Sequence, residues 1–175
     1  VHIKSKYILI LSIIFLVFSF TIFYKGLNNE ILYVPNQKKQ KQLISFNSKN
    51  FLSENVERFE EVFDGSQFYV LNIWSSWCLP CKEEHPILME LNKNPKVKII
   101  GLNYKDKKEN ALKFIRINGN PYNIILEDKK GIISIELGAY GVPETFLVNN
   151  EKKILKKFIG PLNRESLNKI MSIIK

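Results

Sequence analysis

The hydrophobic pattern divides the chain into an apolar N-terminal run and a longer segment in which short apolar runs alternate with polar breaks. Residues 7–24 are almost continuously apolar, and about 18 such residues are just enough to span a bilayer as a helix. Lys4 and Lys6 precede this run, as in a signal peptide or a signal anchor, and no small-x-small cleavage site follows it. We therefore expect an uncleaved transmembrane signal anchor at 7–24, with residues 1–6 in the cytoplasm.

The next segment, residues 25–42, is polar, rich in lysine and without periodicity. It predicts a tether between the anchor and a folded domain at 43–175. Because Lys4 and Lys6 outnumber Lys25 at the ends of the apolar run, the positive-inside rule places this domain outside the cytoplasm.

The pattern within residues 43–175 predicts alternating strands and helices. Strands are expected within 46–51 and at 69–74, 97–103 and 124–126; helices are expected at 53–63, 80–91 and 107–117, and 132–137 fits a short helix better than a strand. The first of these helices would begin at Ser53 and bury Val56, Phe59, Val62 and Phe63. Runs at 145–148 and 154–159 predict a hairpin, followed by a last helix at 164–174 capped by Asn163. This order predicts an α/β, thioredoxin-like fold of three layers, with a mixed central sheet and an inserted strand and helix.

Two cysteines, Cys78 and Cys81, follow the predicted strand 69–74 and open the predicted helix after it. A thiol at a helix N-terminus lies at the positive end of the macrodipole, which favours the nucleophilic thiolate. A strand, a short turn and Cys-x-x-Cys at a helix start are typical of a thiol–disulfide redox site. We therefore predict Cys78 as the attacking thiol and Cys81, one turn deeper, as the resolving thiol.

Two structural interpretations of the cysteine pair compete with this one. Cys-x-x-Cys is also half of a structural zinc site, but such a site usually takes four ligands, and the only histidines are His2 and His85. A structural disulfide closing so short a loop contributes little stability. Redox use is favoured, and the expected redox group is the Cys78–Cys81 disulfide, with no metal or other cofactor.

A second motif, at residues 141–146, precedes the first strand of the predicted hairpin. Proline at a strand start removes one ladder donor and is tolerated there, so Pro143 is compatible with a simple turn. Beside a Cys-x-x-Cys site, the sharper hypothesis is a cis-proline loop facing the cysteines. Such a loop would expose the backbone of Val142 for pairing with an extended substrate polypeptide.

Together these segments resemble the DsbE/CcmG family of membrane-anchored thiol:disulfide oxidoreductases of cytochrome c biogenesis. The resemblance extends over about residues 70–160 and is carried by Trp77–Cys81, Glu84–His85, 101–106 (Gly-Leu-Asn-Tyr-Lys-Asp), Gly119–Tyr122 and Gly138–Phe146. It implies a thioredoxin-like reductant that keeps the haem-attachment cysteines of apocytochrome c free. It also implies re-reduction by a membrane thiol reductant of the DsbD/CcdA type, and a location on the bacterial inner membrane with the catalytic domain facing the periplasm.

Acidic residues mark the active site in the family that the chain resembles. General thioredoxins carry a buried Asp where this sequence has Asn72, which cannot titrate. Glu84 follows Cys81 by three residues, and Glu144 follows Pro143. Since a nearby carboxylate raises a thiol pKa and can transfer its proton, we predict that Glu84 or Glu144 assists Cys81. The alternative for Glu84 is an ordinary first-turn acid.

The remaining site predictions concern substrate contact and packing. Trp77, Tyr140 and Val142 are expected to contact the substrate, whereas His85 is expected to be a packing or surface residue rather than a catalytic base. Pro86 is expected to kink the cysteine helix.

The net charge of the chain indicates which classes of partner it favours. A net charge of +9 arises mostly from scattered lysines, with no basic block interleaved with aromatics, so nucleic-acid binding is disfavoured against attraction to anionic membranes or acidic partners. Two other functions remain open: a general periplasmic oxidant or isomerase, and a non-catalytic docking module of the haem-ligation machinery.

Overall fold

Two separate units make up the chain, one at residues 1–38 and one at residues 39–175. The structure is a computed structural model that describes residues 2–28, 42–53, 55–63 and 65–175. Most of the predicted tether, residues 29–41, lies outside the described residues. The second unit has its first described contact at Gln42, which bridges to Lys153.

The described part of the first unit is one helix, α1 (His2–Asn28). Its stretch Tyr7–Lys25 is long and apolar enough to cross a membrane, and residues 7–25 are exposed. A membrane anchor and a signal sequence share these properties, so the anchor at 7–24 and the cytoplasmic placement of residues 1–6 stay predictions.

Seven strands and five helices follow in the described part of the second unit. They are β1 (Asn47–Lys49), β2 (Val56–Arg58), α2 (Phe59–Val62), β3 (Phe68–Trp74), α3 (Leu79–Leu91), β4 (Val97–Tyr104), α4 (Lys108–Asn118), β5 (Ile124–Asp128), α5 (Ile132–Glu136), β6 (Glu144–Asn149), β7 (Ile154–Ile159) and α6 (Arg164–Ile173).

The apolar run of β3 places it at the centre of a five-stranded mixed sheet with the order β5-β4-β3-β6-β7. Every β3 residue after Phe68 is buried, as expected of a strand covered on both faces. It pairs parallel with β4 and antiparallel with β6, and β6 and β7 form the predicted hairpin. Buried residues of α3, α4 and α6 pack on one face, and Leu43, Phe46, α2 and the end of α5 pack on the other. The thioredoxin-like three-layer fold is thereby confirmed.

The helix predicted from Ser53 to Phe63 is wrong. Asn50 accepts the N–H of Leu52 at Oδ1 and donates its own N–H to the carbonyl of Asn55, so the chain turns here and β1 pairs with β2. Such local bonds of asparagine compete with helix formation. Val56 is consequently 67% exposed in a strand, and only the four residues of α2 are helical.

Candidate active site

The two cysteines are joined as a disulfide at the start of α3. Cys78 is the N-cap residue, and its Sγ accepts the backbone N–H of Cys81 at 3.2 Å. Pro80 lies within the first turn, where its missing N–H has no intrahelical partner to lose. The sequence therefore places Cys78 among the free N–H groups at the positive end of α3, where a thiolate is stabilised.

The turn before Cys78 is fixed by Asp106, which follows β4. Its carboxylate accepts the backbone N–H of Ser76 at 2.6 Å and the Ser76 hydroxyl at 2.9 Å. It also accepts hydrogen bonds from the side chain of Asn103 and the backbone of Lys107. Asp106 lies in the segment 101–106 that resembles the family, but it was not predicted as a site residue. An acidic residue directly after a buried strand was the signal that could have identified it.

Trp77 projects from this turn with 57% of its surface exposed. Its indole Nε1–H donates to the carbonyl of Lys105 at 3.0 Å. A large aromatic ring held beside Cys78 and open to solvent is suited to contact with a polypeptide.

Glu84 is fully buried one turn after Cys81, on the same face of α3. Its Oε1 accepts from Asn72 Nδ2 and its Oε2 from the backbone N–H of Leu162, both at 2.8 Å. Burial raises the pKa of Glu84 to about 7, against the lowering effect of the Leu162 and Asn72 hydrogen bonds. Glu84 is thus no ordinary first-turn acid, since its carboxyl is poised to exchange a proton near neutral pH.

Asn72 connects the polar side chains around Glu84 by hydrogen bonds. Besides donating to Glu84, its Nδ2 donates to Thr145 Oγ1 at 3.0 Å, while its Oδ1 accepts from Tyr122 Oη at 2.9 Å. Burial and the neighbouring Glu84 raise the pKa of Tyr122 well above its usual range, so its hydroxyl remains a donor. This single donor fixes the Asn72 amide with its NH₂ group towards Glu84.

Gly101 makes room for this arrangement. It pairs with Asn72 in register, and a Cβ at this position would lie 2.8 Å from Tyr122 Cδ1 and 2.9 Å from Trp74 Nε1. The Tyr122 ring, stacked on Trp74, reaches Asn72 because β4 carries no side chain there. Gly101 and Tyr122 lie within segments that resemble the DsbE/CcmG family, but neither was predicted as a site residue.

The loop before β6 has the predicted cis peptide bond between Val142 and Pro143. Because β6 begins opposite Ile73 near the end of β3, this loop lies at the same sheet edge as the cysteine turn. Pro143 is buried, Val142 is half-buried and Tyr140 is 68% exposed. The structure thus places Trp77, Tyr140 and Val142 at the end of the sheet where the cysteine turn lies, and their contact with a substrate stays a prediction.

Glu144 was the alternative acid predicted to assist Cys81, but its carboxylate does not lie with that of Glu84. Glu144 pairs with Ile73 in the antiparallel register, whereas Thr145 pairs with Asn72. Successive residues of a strand point to opposite faces, so Glu144 and Glu84 lie on opposite faces of the sheet. Glu144 is instead ion-paired with Lys157 at 2.6 Å, and it accepts the backbone N–H of Tyr140 at 2.7 Å.

His85 has the packing role that the sequence predicted. Its ring meets Phe114 edge-on at 4.9 Å, and its Nε2 lies 3.1 Å from the carbonyl oxygen of Gly119. Burial lowers the pKa of His85. Pro86 lies inside α3, which continues to Leu91. Among the described residues no group of three or more His, Cys, Asp or Glu side chains is arranged to hold a metal ion.

A thioredoxin-like sheet, a Cys-x-x-Cys disulfide at a helix start and a cis-proline loop beside it define a thiol–disulfide oxidoreductase. The Redoxin family matches residues 48–173. The DsbE thiol:disulfide interchange protein of Allochromatium vinosum is 33% identical over 152 residues, which are 87% of this chain and 83% of that protein. The chain belongs to the DsbE family of thiol:disulfide interchange proteins.

One further relative agrees with this assignment, and one solved structure agrees with the fold. The thiol:disulfide interchange protein CycY of Rhizobium leguminosarum bv. viciae is 46% identical over 98 residues, and the match spans 56% of this chain and 53% of that protein. The thioredoxin domain of a thiol-disulfide oxidoreductase from Bacteroides vulgatus superposes with a TM-score of 0.66 at 18% identity, covering 78% of this chain and 97% of that one. The latter similarity shows the fold alone.

Proposed function

We propose that this protein reduces disulfides in apocytochrome c so that haem can be attached. The observation that carries the proposal is the buried carboxyl of Glu84 on the helix face of Cys81, with a pKa of about 7. A group that exchanges protons near neutral pH beside a buried thiol suits a dithiol that must release its protons during reduction. The haem-attachment cysteines as substrate follow from the resemblance to the DsbE/CcmG family.

The reaction balances as a two-electron exchange. The Cys78 thiolate attacks one sulfur of the substrate disulfide, forming a mixed disulfide and releasing the other substrate sulfur as a thiolate. Cys81 then loses its proton and attacks Cys78 Sγ, releasing the second substrate thiolate and forming the Cys78–Cys81 disulfide. The substrate is reduced by two electrons and the protein is oxidised by two.

Glu84 is proposed to accept the Cys81 proton in the second step. A carboxylate one turn from Cys81 first stabilises the protonated thiol and then takes its proton as the thiolate forms. The Glu84 oxygens are held by Asn72 and Leu162, so the acceptor is already oriented. Glu144, on the other face of the sheet, has no such path to Cys81.

Substrate contact is assigned to the exposed rings of Trp77 and Tyr140 and to the backbone of Val142 beside Pro143. An extended polypeptide pairing with Val142 would pass the cysteine turn, because the two loops lie at the same end of the sheet. This mode of recognition is the addition of a strand by backbone hydrogen bonds.

Helix α1 supports a membrane location, and we propose the bacterial inner membrane with the catalytic domain facing the periplasm. The oxidised Cys78–Cys81 pair would be re-reduced there by a membrane thiol reductant of the DsbD/CcdA type. In the proposed cycle, the Cys78–Cys81 disulfide is the group that carries the electrons.

Trapping the mixed disulfide tests the proposal. In cells that assemble cytochrome c, Cys81→Ala should accumulate a covalent adduct with apocytochrome c through its haem-attachment cysteines, detected by non-reducing gels and mass spectrometry. Cys78→Ser/Cys81→Ala is the control and should trap nothing. Adducts restricted to proteins without haem-attachment cysteines would favour a general oxidant or isomerase, and cytochrome assembly that survives Cys78→Ser would favour a docking module.

A further inference from the structure

Lys157 on β7 has its ammonium group directed at the loop before β6 rather than at solvent. Its Nζ lies 2.6 Å from Glu144 Oε2 and donates to the carbonyl of Gly138 at 2.8 Å. It also stands over the Tyr140 ring, 4.3 Å from the centroid. The side chain is only 19% exposed, so these contacts are made with little water around them.

The same loop is fixed from its other end. Glu144 is 2% exposed, and its second carboxylate oxygen accepts the N–H of Tyr140 at 2.7 Å. The carbonyl of Pro143 accepts the backbone N–H of Gly160 at 3.0 Å. Lys157 and Glu144 therefore tie Gly138, Tyr140 and the start of β6 into one charged cluster.

The charged groups of Lys157 and Glu144 serve to hold the loop, unlike the carboxyl of Glu84, which is proposed to transfer a proton. An ammonium has three donors, and here two of them have oxygen partners while the third side faces an aromatic ring. The carboxylate of Glu144 is occupied by Lys157 and by Tyr140, on the opposite face of the sheet from Glu84. The arrangement holds a backbone conformation, and the contacts described for Lys157 and Glu144 are to oxygen atoms, a backbone N–H and aromatic rings.

We propose that Lys157 is a positioning residue for the substrate loop, Gly138–Pro143. By holding Gly138, Glu144 and the Tyr140 ring, it keeps Tyr140 and the Val142 backbone in place for an extended polypeptide disulfide. The proposal builds on the substrate contacts given under the proposed function. It makes Lys157 a determinant of affinity for polypeptide disulfides, and leaves the exchange chemistry of Cys78 and Cys81 untouched.

The test compares a peptide disulfide with a small aromatic disulfide that is too short to reach the loop. Lys157→Met is combined with Glu144→Gln, because removing one partner alone would leave a buried charge unpaired. We expect this double variant to raise KM for the peptide about 30-fold, the size of a desolvated cation–π contact. Its kcat and its rate with the small disulfide should stay within about twofold of wild type.

Three further variants make the result specific to Lys157. Lys157→Arg keeps the charge and should restore most of the peptide affinity. Lys153→Met, which removes the exposed partner of Glu151, should leave KM unchanged. Tyr140→Leu should raise KM by a similar factor, and adding it to the double variant should raise KM little further, since Lys157 acts through Tyr140.

Three results would overturn the proposal: an unchanged KM in the double variant, an equal loss with both disulfides, or full additivity with Tyr140→Leu. The peptide can have any sequence, so the outcome does not depend on apocytochrome c being the client. Failure of the trapping experiment would therefore count against the proposed client alone, and failure here against Lys157 alone.

Discussion

The Nδ2 group of Asn72 donates a hydrogen bond of 2.8 Å to Oε1 of Glu84, joining the central strand to the cysteine helix. General thioredoxins have their buried carboxyl on this strand, whereas here it comes from α3. The ionisable group thereby shares a helix with Cys81 and lies one turn after it.

Glu84→Gln should remove a pH dependence of stability. The folded-state pKa of Glu84, about 7, lies above its ordinary value of 4.5, so folding takes up a proton between these values. The contribution of Glu84 to stability is fully present below pH 4.5 and is lost as pH rises through 7. Wild type should lose about 3 kcal/mol relative to Glu84→Gln over this range, in urea unfolding of the disulfide form.

The neighbouring exposed carboxylate of Glu83 provides the matched control. Glu83→Gln should follow the wild-type curve at every pH. A constant difference between wild type and Glu84→Gln from pH 4.5 to 8 would contradict the assigned pKa.

The same substitution should slow resolution of the mixed disulfide. Without a proton acceptor beside it, Cys81 loses its proton to water, and general-base assistance is worth roughly 10²-fold or more. In single-turnover reactions stopped by acid quenching, the mixed disulfide should form at the wild-type rate. It should then persist about 100-fold longer than in wild type. Equal slowing of both steps would mean that Glu84 acts on Cys78 or on the fold.

Tyr122→Phe should disturb Glu84 through Asn72. The variant removes the only donor to Asn72 Oδ1 among the described contacts and leaves a buried acceptor unpaired, which costs about 1–3 kcal/mol. A freed Asn72 amide donates less well to Glu84, so the pKa of Glu84 should rise, as followed by carboxyl ¹³C chemical shifts. Tyr104→Phe, on the opposite face of the sheet, is the control and should leave that pKa unchanged.

Much of the fold was predictable because its signals are local. The run at 69–74 is apolar at positions facing both sides, Pro80 suits a first helical turn, and Asn163 caps α6 through the N–H of Ser166 as expected. The segment 53–63 failed because Val56, Phe59, Val62 and Phe63 match helical spacing, while the hairpin that displaces the helix depends on Asn50 and Asn55 closing a turn.

The site was predictable in its cysteines and in its cis-proline loop, and less so in its polar partners. Glu84 could be assigned to the helix face of Cys81 by counting along a helix. The opposite orientation of Glu144 depends on the register of β6 against β3, which the sequence does not show. Tyr122 and Lys157 reach their partners across 50 and 19 residues of chain, so no local pattern identifies them.

Asp106→Ala should loosen the turn that carries Ser76 and Trp77. It removes the acceptor of four hydrogen bonds, including that of the buried Asn103 side chain, and should cost about 1–3 kcal/mol of unfolding free energy. Because the turn orients Cys78, exchange with both peptide and small disulfides should slow together. Asp106→Asn keeps one carbonyl acceptor, so its stability and exchange rates should lie between those of wild type and Asp106→Ala. If Asp106→Ala slowed exchange with peptide disulfides alone, Asp106 would act in substrate binding instead.

The reduction potential of the Cys78–Cys81 pair tests the proposed direction of electron flow most directly. Equilibration with glutathione or thioredoxin buffers, followed by thiol alkylation, gives the potential. A reductant of apocytochrome c predicts a value near that of thioredoxin, roughly −270 mV. A value near −120 mV, that of a strong oxidant, would contradict it.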